Sequence, residues 1–175
     1  MREDQNSFKD LALRFQGIIE TAIDGIITID SAGIIESVNA SASKLFEYDE
    51  SELIGENVSK LMQEPHHSNH DGYIKRYQTT KMPRIIGIGR EVMGRKKSGS
   101  IFPFRLAVSE VVLNDKVIFT GIIHDLTEVN TAKENLKQLN QELEQRVEER
   151  TAQLSSVVQK LEGTNSKLKS KEEEL

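Results

Sequence analysis

The chain contains no cysteine. Disulfides, thiolate metal sites and cysteine nucleophiles are therefore excluded, as is flavin–cysteinyl adduct chemistry. No uninterrupted apolar run approaches membrane-spanning length, so no transmembrane helix is expected. The N-terminus, MREDQNSFKD, lacks the apolar stretch of a secretory signal, and the default location is the cytoplasm. There is no basic excess: the formal net charge is −5, which argues against general nucleic-acid binding. Breakers are few, with 3 prolines and 11 glycines in 175 residues, which suits one modest domain plus an extended element.

What is present divides near Leu126. Residues 1–20 read as a lead-in helix, because Phe8, Leu11, Phe15, Ile18 and Ile19 recur at helical spacing. Residues 21–125 have mixed periodicity broken by turn signals. GIITID is β-rich, and SAG is a turn feeding IIESVN. Asn39 or Ser41 is placed to cap a short helix, ASKLFEYD, with further short helical pieces around SELIG and VSKLM. Positions 66–79 are mostly polar, with Tyr73, Ile74 and Tyr77 on one side. After Pro83 come three strand candidates, GIGREVMGRKK, SIFPFRLAVSEVVL and KVIFTGIIHDL, with KKSG and LNDK as turns between them. Helix, two strands, short helices and three strands predict a five-stranded antiparallel α+β domain.

Residues 126–175 follow another rule. Leu126, Val129, Lys133, Leu136, Asn140, Leu143, Val147, Arg150, Leu154, Val157, Leu161, Thr164, Leu168, Lys171 and Leu175 alternate three and four apart, an a/d heptad seam. Fully helical, this stretch would be roughly 75 Å long at 1.5 Å per residue. A polar helix of that length does not persist alone, so a homodimer through a coiled coil is expected. Asn140 at an a position favours parallel, two-stranded pairing in fixed register. Lys167 and Glu172 are spaced for an interchain pair. The plainer alternative is one amphipathic helix packed on an absent domain.

One histidine, His70, sits in HDGYIKRY and is followed by basic residues spaced along an apolar strand pattern, RIIGIGREVMGRKKSGSIFPFRLAVSE. Such a layout suits a flat, apolar, anionic cofactor, with imidazole ligating iron and arginines meeting carboxylates. Taken alone, a histidine on a polar helix is a solvated surface group. His66 and His70 are four apart, a zinc-compatible spacing, but no acidic or cysteine set completes that site. GIG at 87–89 is too short for a nucleotide loop. Arg95, Lys96 and Lys97 read as a solvated strand face, His124 as packing at the domain end, and Asp125 and Thr127 as caps for the outgoing helix.

GIITID–SAGIIESVNASASKLFEYDESELIGENVSKLM resembles the first half of a PAS domain, and TGIIHDLTE its last strand and closing Asp–x–Thr motif. More narrowly, residues 64–110 are similar to the haem-binding PAS domain of FixL-type oxygen sensors, and LNQELEQRVEERTAQL resembles the coils that lead into histidine kinase cores. The resemblance implies a PAS fold followed by a coiled-coil signalling helix. It implies haem b with His70 as proximal iron ligand and Arg90 as the distal arginine that meets bound oxygen or a haem propionate. Arg76 and Arg84 fall near the propionates, although some members carry histidine at the second of these. Ile85, Leu106 and Val108 fall on the apolar ligand pocket, and Tyr73 one turn from His70.

The physical chemistry agrees with those roles. Neutral imidazole is a good ligand for haem iron. A guanidinium is always charged and can fork onto a carboxylate, so one side chain can choose between gas and propionate. No catalytic set is visible, and residues 126–175 hold no histidine for a phosphoacceptor, so no enzyme activity is expected of this chain itself. The expected function is a haem-based oxygen-sensor module that relays its state along a dimeric coil to a missing kinase domain and response regulator. The alternatives are a cofactor-free PAS dimerisation or spacer domain and a fragment of a haem-regulated cyclic-dinucleotide enzyme.

Overall fold

A computed structural model describes residues 2–82, 87, 89–113 and 116–172. The chain forms two compact units, Met1–Glu128 and Val129–Leu175.

The first unit opens with helix α1 (Arg2–Thr21), then strands β1 (Gly25–Asp30) and β2 (Ile35–Val38). Two short helices follow, α2 (Ala40–Phe46) and α3 (Glu50–Leu53), then a 3-10 turn at Val58–Leu61 and helix α4 (His66–Thr80). Strands β3 (Arg90–Arg95), β4 (Ile101–Leu113) and β5 (Lys116–Asp125) complete the unit. The five strands form one antiparallel sheet in the order β2-β1-β5-β4-β3. The α+β reading of the sequence is thus borne out. N- and C-terminal strands meet at the centre of the sheet, so the chain connecting β2 to β3 must cross one face.

That face is apolar because β1, β4 and β5 alternate with period two, while a register shift against β1 brings both Ile35 and Val38 of β2 onto it. Ile27 stands opposite Gly121, which stands opposite Val108 on the other side. Leu106 stands opposite Ile123 on one side and Arg90 on the other. Ile27, Ile35, Val38, Phe104, Phe119 and Ile123 are buried on it, together with Ala42 and Phe46 of α2 and Leu53 of α3. Phe46 meets Phe102 and Phe104 edge-on at centroid distances of 5.3 and 6.0 Å. Gly94 leaves room for these rings, since a Cβ there would lie 2.7 Å from Phe102.

Asn39 explains why α2 starts where it does. It is buried, and all its amide atoms are used. Oδ1 accepts from Ile26 N and Ala42 N, each at 2.9 Å. Nδ2 donates to Ile19 O at 2.9 Å and Asp24 O at 3.0 Å. One side chain thereby joins the end of α1, the turn into β1, β1 itself and the first turn of α2. Asn39, of the two candidate caps, is the N-cap; Ser41 instead donates to Ala22 O at 2.6 Å. The predicted helix ASKLFEYD ends early, at Phe46, because Glu47 takes a left-handed conformation (φ 63°) and its N–H returns to Lys44 O. The strand predicted from Gly87 begins only at Arg90, because Gly87 and Gly89 have φ of 79° and 69°, which strand residues do not adopt.

Helix α5 (Thr127–Glu172) occupies the region of the heptad pattern. Val129, Leu136, Leu143, Val147, Leu154, Val157 and Leu161 are all at least half exposed. Asn114 and Asp115 of the LNDK turn and Leu175 at the end of the seam lie outside the described residues. No described helix is long and apolar enough to cross a membrane.

Replacing Asn39 by Ala strands two buried N–H donors and two carbonyls at once. The expected loss is about 3 kcal/mol of unfolding free energy, combining a lost cap with buried unpaired groups. Urea denaturation checks it; a loss below about 1 kcal/mol would be ordinary for a surface change and would contradict this account.

Candidate functional site

Helix α4 lies across the apolar face, yet it buries only one hydrophobic residue of its own, Ile74. Several of its other ties are polar and lie at the rim. Asn57 Nδ2 donates to Asp71 Oδ1 at 3.0 Å, Gln78 Nε2 donates to Ser31 O at 2.7 Å, and His67 Nδ1 lies 2.8 Å from Ser59 O. Beneath the helix is a cavity of about 80 Å3.

The cavity walls are aliphatic and aromatic. Leu106, Val108, Phe119 and Ile123 come from β4 and β5, Ile27 and Ile29 from β1, and Val58, Leu61 and Met62 from the segment before α4. Gly121 widens the floor, because a Cβ there would sit 3.4 Å from Leu106 Cδ1. His70 is the one titratable side chain among the described lining residues. Its Nδ1 is buried without a hydrogen-bond partner. Burial holds the imidazole below its usual pKa; Asp71 opposes this and His66 adds to it. The ring is therefore kept in its neutral, ligating form, with a polar atom whose isolation costs about 1–3 kcal/mol until something meets it.

The other site residues expected from sequence fall into three groups. Leu106 and Val108 line the cavity with His70. Arg90 is the first residue of β3 and stands opposite Leu106, so the register places it on the cavity face of the sheet, where it is exposed. Arg76 is exposed on α4, and neither arginine has an ion-pair partner among the described residues. Tyr73 is 43% exposed, with its hydroxyl 3.4 Å from His66 Nδ1. Arg84 and Ile85 lie outside the described residues. Of the residues read as a solvated strand face, Lys96 and Lys97 pair with Glu47 and Glu52 at 3.3 and 2.6 Å. Sequence reasoning missed Phe119 and Gly121, although alternation along KVIFTGIIHDL puts them on one face.

The donor chemistry fits a haem. A neutral imidazole with an unsatisfied nitrogen opens onto an apolar chamber, and a guanidinium waits on the same sheet face. The chamber, about 80 Å3, is smaller than a porphyrin, so a macrocycle would need more space than the described residues leave beneath α4. Ile74 is the one buried hydrophobic residue of that helix.

At the end of the domain, His124 Nδ1 lies 2.8 Å from Asp24 Oδ1, joining the last strand to the turn that enters the first. Asp125 Oδ1 accepts from Thr127 N at 2.8 Å and Thr127 Oγ1 at 2.6 Å, capping the outgoing helix as expected.

The buried imidazole makes a pH prediction for the cofactor-free protein. His70 has a depressed folded pKa against an unfolded value near 6.5. Its share of stability is full above about pH 6.5 and falls as pH drops toward the folded value, because the unfolded chain takes the proton first. Glu47, Glu52, Glu64 and Glu110 are also lowered, but from 4.5, so they act in a more acidic window. His70→Gln should therefore flatten the stability profile between about pH 6.5 and 5. Urea midpoints measured across that range check it; parallel profiles for the two proteins would contradict a buried neutral ring.

Comparison with known proteins follows the same lines. The PAS fold family matches residues 13–126. The sensor protein FixL of Bradyrhizobium diazoefficiens is 39% identical over 142 residues, 81% of this chain and 28% of FixL. The cell-division control histidine kinase PdhS of Brucella anthropi is 26% identical over 155 residues, 89% of this chain and 14% of PdhS. The chain thus spans well under a third of either relative. Among solved structures, the PAS domain of an HTR-like protein from Haloarcula marismortui superposes with a TM-score of 0.58 at 18% identity, covering 71% of this chain and 99% of that one. The order β2-β1-β5-β4-β3, the helices crossing one face and the sequence match converge: the chain belongs to the PAS fold family.

Proposed function

We propose that the chain is the haem-based oxygen-sensing module of a two-component histidine kinase, passing its state through a dimeric coiled coil to a kinase domain and response regulator. The observation that carries this reading is His70, which lines an apolar cavity and whose Nδ1 is buried without a hydrogen-bond partner. Haem iron, when bound, supplies reversible coordination of a diatomic gas.

The residues of this chain supply the rest. His70 offers a neutral imidazole, kept so by desolvation. Leu106, Val108, Phe119 and Ile123 exclude water from the chamber. Arg90, opposite Leu106 on the cavity face of the sheet, holds permanent charge where a guanidinium can fork onto a carboxylate. Arg76, exposed on the side of α4 away from Ile74, belongs to the reading through the family resemblance. Arg84 and Ile85 belong to the same reading through the family resemblance alone. On the output side, the exposed seam of α5, with Asn140 among its apolar positions, supports a parallel pairing with a second copy. The kinase relative PdhS supports the choice of effector.

A second reading, a cofactor-free PAS dimerisation or spacer domain, is favoured by the small volume of the closed cavity. Hemin titration separates the two. The oxygen-sensor reading expects a Soret band with the wild type and its loss in His70→Ala; a wild type that stays colourless with hemin sinks it. In the loaded protein, Arg90→Ala should release oxygen at least about tenfold faster, the worth of one charge-assisted hydrogen bond. An unchanged rate in stopped-flow removes Arg90 from the mechanism.

A further inference from the structure

Within the apolar face of the sheet, beside the cavity wall, an acidic residue stands where the pattern calls for another aliphatic. Glu110 stands two residues beyond Val108 on β4, opposite Phe119, and its side chain is only 16% exposed. A carboxylate in that position needs partners. It has two, and both come from α4. The Tyr77 hydroxyl donates to Oε2, and Lys81 Nζ donates to Oε1 at 2.9 Å. The Tyr77 ring meets Phe119 edge-on at 5.9 Å, and Lys81 Nζ lies 5.2 Å from the centre of the same ring. Lys81 is also the C-cap of α4, with φ of 50° and its N–H bonded to Tyr77 O at 2.7 Å.

These contacts lie on the stripe that carries His70. His70, Ile74, Tyr77 and Lys81 follow one another at four, three and four residues, so they share one helix face. A helix is stiff about its own axis. Fixing Tyr77 against Glu110 fixes the angle at which His70 is presented two turns away. The other described ties of α4 are Ile74, buried on the same stripe, and hydrogen bonds at the rim.

From this juxtaposition we infer that Glu110 is a positioning residue. Through Tyr77 and Lys81 it clasps the C-terminal end of α4 to β4, sets the placement of His70 over the cavity, and must yield or stretch when α4 opens. The inference rests on the proposed cofactor reading for its purpose, but its geometry holds in the empty protein.

The test uses two shape-preserving variants of the 175-residue chain, Tyr77→Phe, which keeps the ring on Phe119, and Glu110→Gln. Amide hydrogen exchange is read without cofactor. Residues 66–80 should exchange about tenfold faster in each variant, as expected for one lost charge-assisted hydrogen bond, while β1 and β5 stay unchanged. The double variant should be little faster than Glu110→Gln alone, because that change already weakens the Tyr77 bond together with the Lys81 pair. Unchanged exchange over 66–80 in Tyr77→Phe overturns the clasp, as does an equal rise in the central strands, which would mean general destabilisation. With hemin bound, both variants should release it to apomyoglobin several-fold faster, and equal rates overturn the positioning role. A wild type that takes up no hemin defeats the cofactor reading, while the exchange data still decide the clasp.

Discussion

The register between β4 and β5 is the constraint on which the site depends. Ten residue pairs fix it, from Phe104 opposite Asp125 to Leu113 opposite Lys116. Because side chains alternate faces, this register turns Phe104, Leu106, Val108 and Glu110 toward α4 and leaves Arg105, Ala107 and Ser109 on the other side. A slip of one residue would put a guanidinium and a hydroxyl where the cavity needs hydrocarbon. The same strand pairs with β3 and carries Arg90 to the position opposite Leu106. One strand thus aligns the apolar wall, the charge at its edge and the acid that meets α4.

The two sides of the domain are held by different physics. On the α2 and α3 side, Phe46, Leu53 and Ala42 are buried against the sheet, and Asn39 satisfies every backbone group around it. Burial there is extensive and non-directional, so that side is rigid. On the α4 side, Ile74, the Tyr77 ring against Phe119 and a set of hydrogen bonds do the holding. The bonds at the exposed rim each contribute little by themselves; the Tyr77–Glu110 bond is the part-buried one. An element fixed in that way can rise from the sheet without unfolding the rest, which is what access to an interior chamber requires.

Entry and exit of the domain are also joined. Asp24 follows α1, His124 precedes α5, and their side chains meet across adjacent central strands. Asn39 ties the end of α1 to the same region. Asp125 in turn caps the first turn of the helix that leaves the domain.

The amino-acid sequence by itself determined the five strands, their order along the chain and the long helix; His70 stood out only through the family resemblance. Period-two runs and a heptad seam are local patterns, and local patterns survive without a partner in space. Only the tertiary structure decided what faces what. Glu110 reads in sequence as a charge near a strand end, and Tyr77 as one aromatic on a polar helix; their meeting depends on where α4 crosses the sheet. Gly121 and Gly94 look like breakers until the side chains that crowd them, Leu106 and Phe102, are in place. The start of β3 at Arg90 followed from backbone angles at Gly87 and Gly89 that no hydrophobicity pattern records. Contacts between residues distant in sequence are fixed by packing and register, and those are properties of the folded chain as a whole.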